Sequence, residues 1–292
     1  MSSQHQSDID ILQPETPSAS VTIQDIEDAA HKLEGIAHRT PLIYNELLSE
    51  QYQANIWLKR EDLQVVRSYK IRGAYNMIQS LPEAETQHGV VCASAGNHAQ
   101  GVAFACRKKG IKGTIFMPVT TPEQKVKQVN MFGREFVEVV LDGDTFDDAF
   151  ARATQFCEET NAAFIPPFDH PKIIAGQGTV GKERWEDADF PIDYIIAPVG
   201  GGGLSAGIGS YIKAYSPHTQ IIGVEPEGAP AMLKSIEAGR VVTLDEIDKF
   251  VDGAAVKKVG HFTFEICSKV LDQIITVPEG KVCGTILNLY NE

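Results

Sequence analysis

The sequence predicts an α/β protein of two lobes, each built on a mainly parallel sheet flanked by helices. Three observations lead there. From Gly89 onward, short β-branched runs alternate with helical stretches, the pattern of strand–helix–strand units. A proline pair, Pro166-Pro167, interrupts the alternation and reads as a joint between lobes. Glycines cluster where a strand-like run gives way to a helix, and in open parallel sheets ligands bind in the crevice at strand C-terminal ends.

Residues 1–20 are dominated by Ser, Gln, Asp, Pro and Thr. They read as a disordered tail, without the basic and apolar regions of a signal peptide. A helix is expected from Thr22, with Ile23, Ile26, Ala30 and Leu33 on one face and Gly35 as its stop. Arg39-Thr40-Pro41-Leu42 opens an extended segment, because the residue before proline avoids helix. A helix over 45–53 and a strand over 56–59 follow. Beyond residue 70, Ala74, Met77, Ile78 and Leu81 recur at helical spacing. The spacing then predicts a strand at 90–92, a helix at 97–109 and a strand at 114–117. Thr121-Pro122-Glu123-Gln124 reads as a helix start, with Thr121 as cap and Pro122 at the first helical position. That helix stops at Gly133, before a strand at 136–140 and a helix at 144–160. Past the prolines come a helix at 171–185, a strand at 194–197, a helix at 204–215 and a strand at 221–224. Helices near 229–237 and 263–270, a strand at 274–277 and a helix from Pro278 complete the order. The larger lobe is assigned to 21–80 and 170–292, the smaller to 81–169.

Composition narrows the function classes. With 292 residues, 43 % hydrophobic and 22 % charged, the chain can bury one large core or two modest ones. Its formal net charge of -13 argues against nucleic acid as a partner, since an acidic surface repels phosphate backbones. The five cysteines include no C-x-x-C pair, which suggests neither a zinc site nor a disulfide framework and fits a reducing compartment. No apolar run approaches the length of a membrane span. A cytoplasmic protein with no membrane partner is the expectation.

Three stretches carry chemistry. In Ser68-Tyr69-Lys70-Ile71-Arg72-Gly73-Ala74 a lysine stands where a helix begins. The positive end of the helix dipole and nearby Arg72 are both expected to lower its pKa, giving the free amine that Schiff-base chemistry requires. Alone, Lys70 and Arg72 are also what an ordinary solvated helix face carries. In Ala197-Pro198-Val199-Gly200-Gly201-Gly202-Gly203-Leu204, four glycines precede a helix. Backbone N–H groups converging at a helix N-terminus suit a phosphate. Gly201, Gly203 and Ala206, with Glu225 further on, also satisfy the dinucleotide fingerprint. A nicotinamide-dependent oxidoreductase is therefore a rival, although it leaves Lys70 without a role. In Ser94-Ala95-Gly96-Asn97-His98-Ala99-Gln100-Gly101, hydroxyl, amide and N–H groups gather at a helix start, suited to a carboxylate. Ser94 or Asn97 could equally cap that helix.

Together, and in this order, these stretches resemble the fold-type II (tryptophan synthase β-like) pyridoxal phosphate enzymes, with the threonine deaminase family most similar. The resemblance runs from about Arg39 to the end and takes in Lys59-Arg60-Glu61-Asp62, Phe116-Met117-Pro118 and Gly176-Gln177-Gly178-Thr179. It implies that Lys70 carries pyridoxal phosphate covalently and that Gly200, Gly201, Gly202, Gly203 and Leu204 hold the phosphate. It also implies that Asn97 bonds the cofactor's 3-hydroxyl oxygen and that Tyr69, where many relatives have Phe, packs beside the ring. Ser94, Ala95, Gly96, Asn97 and His98 would form the substrate-carboxylate loop. The activity implied is the lyase deamination of L-threonine to 2-oxobutanoate and ammonia in isoleucine biosynthesis, with serine as a secondary substrate. Homo-oligomers, dimer or tetramer, are implied for the full-length form. Serine racemase is the nearest alternative, but its second, opposite-face serine base is Ala95 here. Its divalent-metal pattern is incomplete, Glu225 being present and Ala231 standing for a carboxylate, so no metal is expected. By the same resemblance the family's catalytic domain continues past residue 292. The chain is read as a C-terminal truncation, expected to be poorly stable and weakly active alone, with an inactive cofactor- or subunit-binding remnant as a further alternative.

Overall fold

The computed structural model describes residues 20–291, so the expected tail at 1–20 falls almost entirely outside the described residues. Helix α1 (Ile23–Leu33) is closed by a reciprocal Thr22–Asp25 capping box. Strand β1 (Leu42–Tyr44), helix α2 (Glu46–Tyr52) and strand β2 (Trp57–Lys59) follow, with β1 and β2 paired antiparallel. This small antiparallel unit adds to the mainly parallel scheme expected. After a 3-10 turn at Glu61–Leu63 come α3 (Lys70–Ser80) and the short α4 (Glu83–Thr86). The next run is β3 (Val90–Ala93), α5 (Asn97–Lys109), β4 (Gly113–Met117), α6 (Glu123–Gly133), β5 (Val137–Leu141), α7 (Phe146–Thr160) and β6 (Ala163–Phe164). The remainder is α8 (Pro171–Asp187), β7 (Tyr194–Pro198), α9 (Gly203–Tyr215), β8 (Gln220–Pro226), α10 (Ala231–Ala238), α11 (His261–Val270), β9 (Gln273–Val277) and α12 (Glu279–Asn291).

Two parallel sheets result. The first has strand order β5-β4-β3-β6, the second β7-β8-β9. Every residue of β3 is buried and so is most of β4, as central parallel strands covered on both faces require. At the edge, β5 alternates between partly covered and exposed positions. Short β6, two residues long, carries too little pattern to be legible and is held by pairing with β3.

Helix α8 is the axis of the larger core, packing against α1, α3 and α9. It lies very close to α3: a Cβ on Gly176 would stand 2.6 Å from the Arg72 carbonyl oxygen. One apolar cluster joins Ala74, Ile78, Val102, Ile115 and Ile173 across α3, α5, β4 and α8. A second joins Ile26, Ile174, Val199, Ala206 and Cys267. Cys92, Cys106 and Cys267 are buried and all five cysteines are free.

One helix start differs from its expectation. Helix α6 begins at Glu123, and Pro122 rather than Thr121 is its cap residue, with no side-chain cap bond. Thr121 Oγ1 is buried without a partner. Proline's fixed φ sets the entry to the helix without a hydroxyl cap.

Candidate cofactor and active site

Lys70 is the first residue of α3, and its Nζ donates to the Pro167 carbonyl oxygen at 2.8 Å. Burial pushes the amine down to about 8. Arg72 is not among the causes, which corrects the expectation that it lowers the lysine. Arg72 points away into a buried clamp and is 1 % exposed. Its guanidinium donates to Glu61 at 2.9 and 2.8 Å, to Glu183 at 2.6 and 2.9 Å, and to Thr179 Oγ1 at 3.0 Å. Burial works against that charge, but the bonds to the two carboxylates hold its pKa above the usual arginine value. Neither cation is a solvated helix-face charge.

Tyr69 packs with Val180, Leu204 and Ile208, and its ring centroid is 5.6 Å from Lys70 Nζ. Burial raises its phenol to about 12. Leu204 thereby links the lysine's neighbour to the glycine loop. In that loop Gly202 has φ +90°, the left-handed region. A Cβ on Gly201 would fall inside the Phe168 ring. Among the described residues, the backbone N–H groups of Gly200, Gly201, Gly202 and Gly203 donate to no protein acceptor. Four free donors opening onto the start of a 13-residue helix are an arrangement suited to an anion such as a phosphate.

Helix α5 presents a second open start. Gly96, not Ser94 or Asn97, is its cap residue, and no side chain caps it. Ser94 Oγ instead accepts from the Gly96 N–H at 3.3 Å. The helix crosses α3 at Lys70 itself: a Cβ on Gly101 would lie 3.0 Å from the Lys70 carbonyl oxygen. His98 is buried and bonded to the Ile165 carbonyl oxygen at 2.9 Å. Ala95 packs against the core. Asn97 is exposed and lines a cavity of about 400 Å³ with Arg67, Gln100, Lys127 and Phe132.

Neighbouring helices are closed where these two are open. Glu225 accepts from the Met232 and Leu233 N–H groups, each at 2.8 Å, at the start of α10. Burial raises this carboxyl to about 7, against those two bonds. Spent in this way, Glu225 is not presented to a ribose, which removes the acidic member of the dinucleotide fingerprint. Asp169 accepts from the His261 and Thr263 N–H groups at 2.9 and 3.1 Å, closing α11.

The residues that sequence reasoning missed lie at the proline joint. Ile165 receives His98, Pro167 receives Lys70, Phe168 rests on the glycine loop and Asp169 closes α11. Four residues within 165–169 thus touch all three motif stretches or their supports. The only signal was the proline pair after a strand.

A strand–helix architecture with an enclosed lysine between two uncapped helix starts defines a class of cofactor-dependent α/β enzymes. Residues 33–292 match the family described as pyridoxal-phosphate dependent enzyme, and the chain belongs to it. It is 58 % identical over 272 residues to the biosynthetic L-threonine dehydratase IlvA of Halalkalibacterium halodurans, covering 93 % of this chain and 66 % of that one. The chain therefore spans slightly under two thirds of that relative's length. Among solved structures, the processed form of threonine deaminase isoform 2 from Solanum lycopersicum superposes with a TM-score of 0.86 at 38 % identity, covering 96 % of this chain and 84 % of that one. Maize serine racemase superposes with a TM-score of 0.88 at 31 % identity, covering 92 % and 80 %. The fold is that of the fold-type II enzymes. No helix among the described residues is long and apolar enough to cross a membrane.

Proposed function

We propose that this chain carries the site for pyridoxal phosphate-dependent deamination of L-threonine to 2-oxobutanoate and ammonia, with serine giving pyruvate as a secondary reaction. The observation that carries the reading is the Lys70 amine, enclosed, lowered to about 8 and held by the Pro167 carbonyl beside two open helix starts. The threonine-specific names of the relatives from Halalkalibacterium halodurans and Solanum lycopersicum support the choice of substrate.

The residues present fit the cofactor. The free N–H groups of Gly200 to Gly203 would hold its phosphate, Lys70 would anchor it, Tyr69 would pack beside it and Asn97 would meet its 3-hydroxyl oxygen. When bound, pyridoxal phosphate supplies an electron sink that makes the substrate Cα–H acidic. Lys70 then serves as the base that takes the Cα proton. At pH 7 an amine with a pKa near 8 is unprotonated in about one molecule in ten, against fewer than one in a thousand for an ordinary lysine. The N–H groups at the start of α5, within residues 94–98, would bind the substrate carboxylate and orient Cα toward that amine.

Ala95 separates this reading from racemisation. A racemase must return a proton to the opposite face, and Ala95 has no group that carries one. Product analysis decides: threonine should yield 2-oxobutanoate and L-serine should yield pyruvate. Accumulation of D-serine, or turnover of neither amino acid, would contradict the proposal. The reading extends to a cytoplasmic homo-oligomer, supported by free cysteines and by exposed Ile43, Tyr44, Leu47 and Tyr52. Sedimentation that shows only monomer would remove the second part.

A further inference from the structure

We propose that His98 is a positioning residue for Lys70, acting through the Ile165 carbonyl and the two prolines after it, and that its imidazole is not a ligand of the substrate carboxylate. The inference rests on the reading of Lys70 given above. Nε2 of His98 faces a carbonyl oxygen. A carbonyl only accepts, so Nε2 carries the proton and Nδ1 is a lone pair. Burial, then the Lys70 charge, push this imidazole down to about 3, against the Ile165 bond. The ring is therefore neutral at any working pH. Its Nδ1 is buried without a partner among the described residues. A lone pair repels a carboxylate, so the ring has no donor left to offer one. The backbone N–H of residue 98 stays available for that task.

What the ring does hold is the chain leaving β6. Ile165 is fully buried and its N–H donates to the Val91 carbonyl at 2.7 Å. Pro166 and Pro167 come next, with fixed φ and no N–H, so position is passed along stiffly. The Pro167 carbonyl then receives the Lys70 amine. Phe168, one residue on, rests against Gly201 and Gly203. Slackening at Ile165 would reach the lysine and the glycine loop together.

The test uses the cofactor-free chain and two variants, His98→Leu, which has no donor, and His98→Gln, which keeps an N–H. Pyridoxal phosphate is added at pH 8, borohydride quenches timed samples, and the mass of the Lys70 peptide gives the rate of capture. The threonine concentration that half-shifts the cofactor absorbance, read before product accumulates, gives an apparent substrate affinity. His98→Leu should slow capture about tenfold or more while leaving that concentration within about threefold. His98→Gln should stay within about threefold of the parent in both. Should His98→Leu lose its fold by circular dichroism, Pro167→Gly slackens the same segment and must slow capture in its place. Unchanged capture in His98→Leu, a weakened threonine response at normal capture, or equal slowing in both His98 variants overturns the inference. A parent chain that forms no Lys70 adduct overturns the functional reading and this inference with it. A normal parent adduct with unaffected variants overturns only the inference.

Discussion

The role proposed for Lys70 needs an amine that is unprotonated for part of the time, and burial lowers its pKa to about 8. That cause has a consequence for stability. The folded-state pKa is about 8 and the unfolded value about 10.5, so the unfolded chain holds more protons between those values. Stability of the cofactor-free protein should therefore rise as pH climbs from 8 to 10.5. Lys70→Met removes this dependence. It should be more stable than the parent by about 3 kcal/mol at pH 7, with the gap closing near pH 10.5, as urea denaturation at the two pH values would show. Gly201 makes a second case at this scale, since a Cβ there meets the Phe168 ring. Gly201→Ala should weaken pyridoxal phosphate binding by about tenfold, roughly 1.4 kcal/mol, and Phe168→Leu in the same chain should recover most of it. Titration of the cofactor absorbance reads both. Lys70, Asn97 and the glycines stand out in the sequence as candidates because each lies at a helix start in an unusual motif. Phe168 and Asp169 do not, because their roles exist only after residues far apart in sequence are brought against them.

Among the elements, closed and open helix starts divide the labour. Helices α1, α2, α7 and α8 are capped by side chains of Thr22, Asn45, Thr145 and His170. Carboxylates of Glu225 and Asp169 close α10 and α11, while α5 and α9 are left free for anions. The start of α3 is fixed differently, by Arg72 clamped to Glu61 before it and Glu183 on α8. Lys59 extends the clamp, 2.7 Å from Glu183 and 3.2 Å from Asp187. Arg72→Met would leave Glu61 largely buried without a cation and Glu183 with Lys59 alone, and breaking a buried pair in this way costs about 3–5 kcal/mol. A urea midpoint within experimental error of the parent's would contradict the clamp's importance. Sequence reasoning placed Arg72 beside Lys70 because the two are two residues apart. On a helix that separation turns side chains to different faces, so the proximity was only along the chain.

For the whole molecule, the stretches proposed for the site follow the C-terminal ends of β3, β6 and β7, while one flank of the three-stranded sheet stays apolar and open. Edge strand β7 exposes Tyr194 and Ile196, the latter at 69 %. Helix α12 has no buried residue and displays Ile286, Leu287, Leu289 and Tyr290. An unprotected apolar edge strand favours pairing between chains. The purified chain should therefore scatter light increasingly with concentration, and Ile196→Lys should reduce that scattering without altering cofactor capture. The alternation of strands and helices was legible across nearly the whole chain because most of the parallel strands are short runs rich in β-branched and apolar residues. Sheet order and the coverage of each flank were not, since they depend on packing between distant segments.

The central claim is that Lys70 anchors pyridoxal phosphate at the junction of α3, α5 and the glycine loop. Its most direct test is the visible absorption spectrum of the chain with added pyridoxal phosphate, recorded beside that of Lys70→Ala, before and after threonine. A band that requires Lys70 and moves when threonine is added is the expected result. A band of equal strength in Lys70→Ala, or none in the parent, would contradict it.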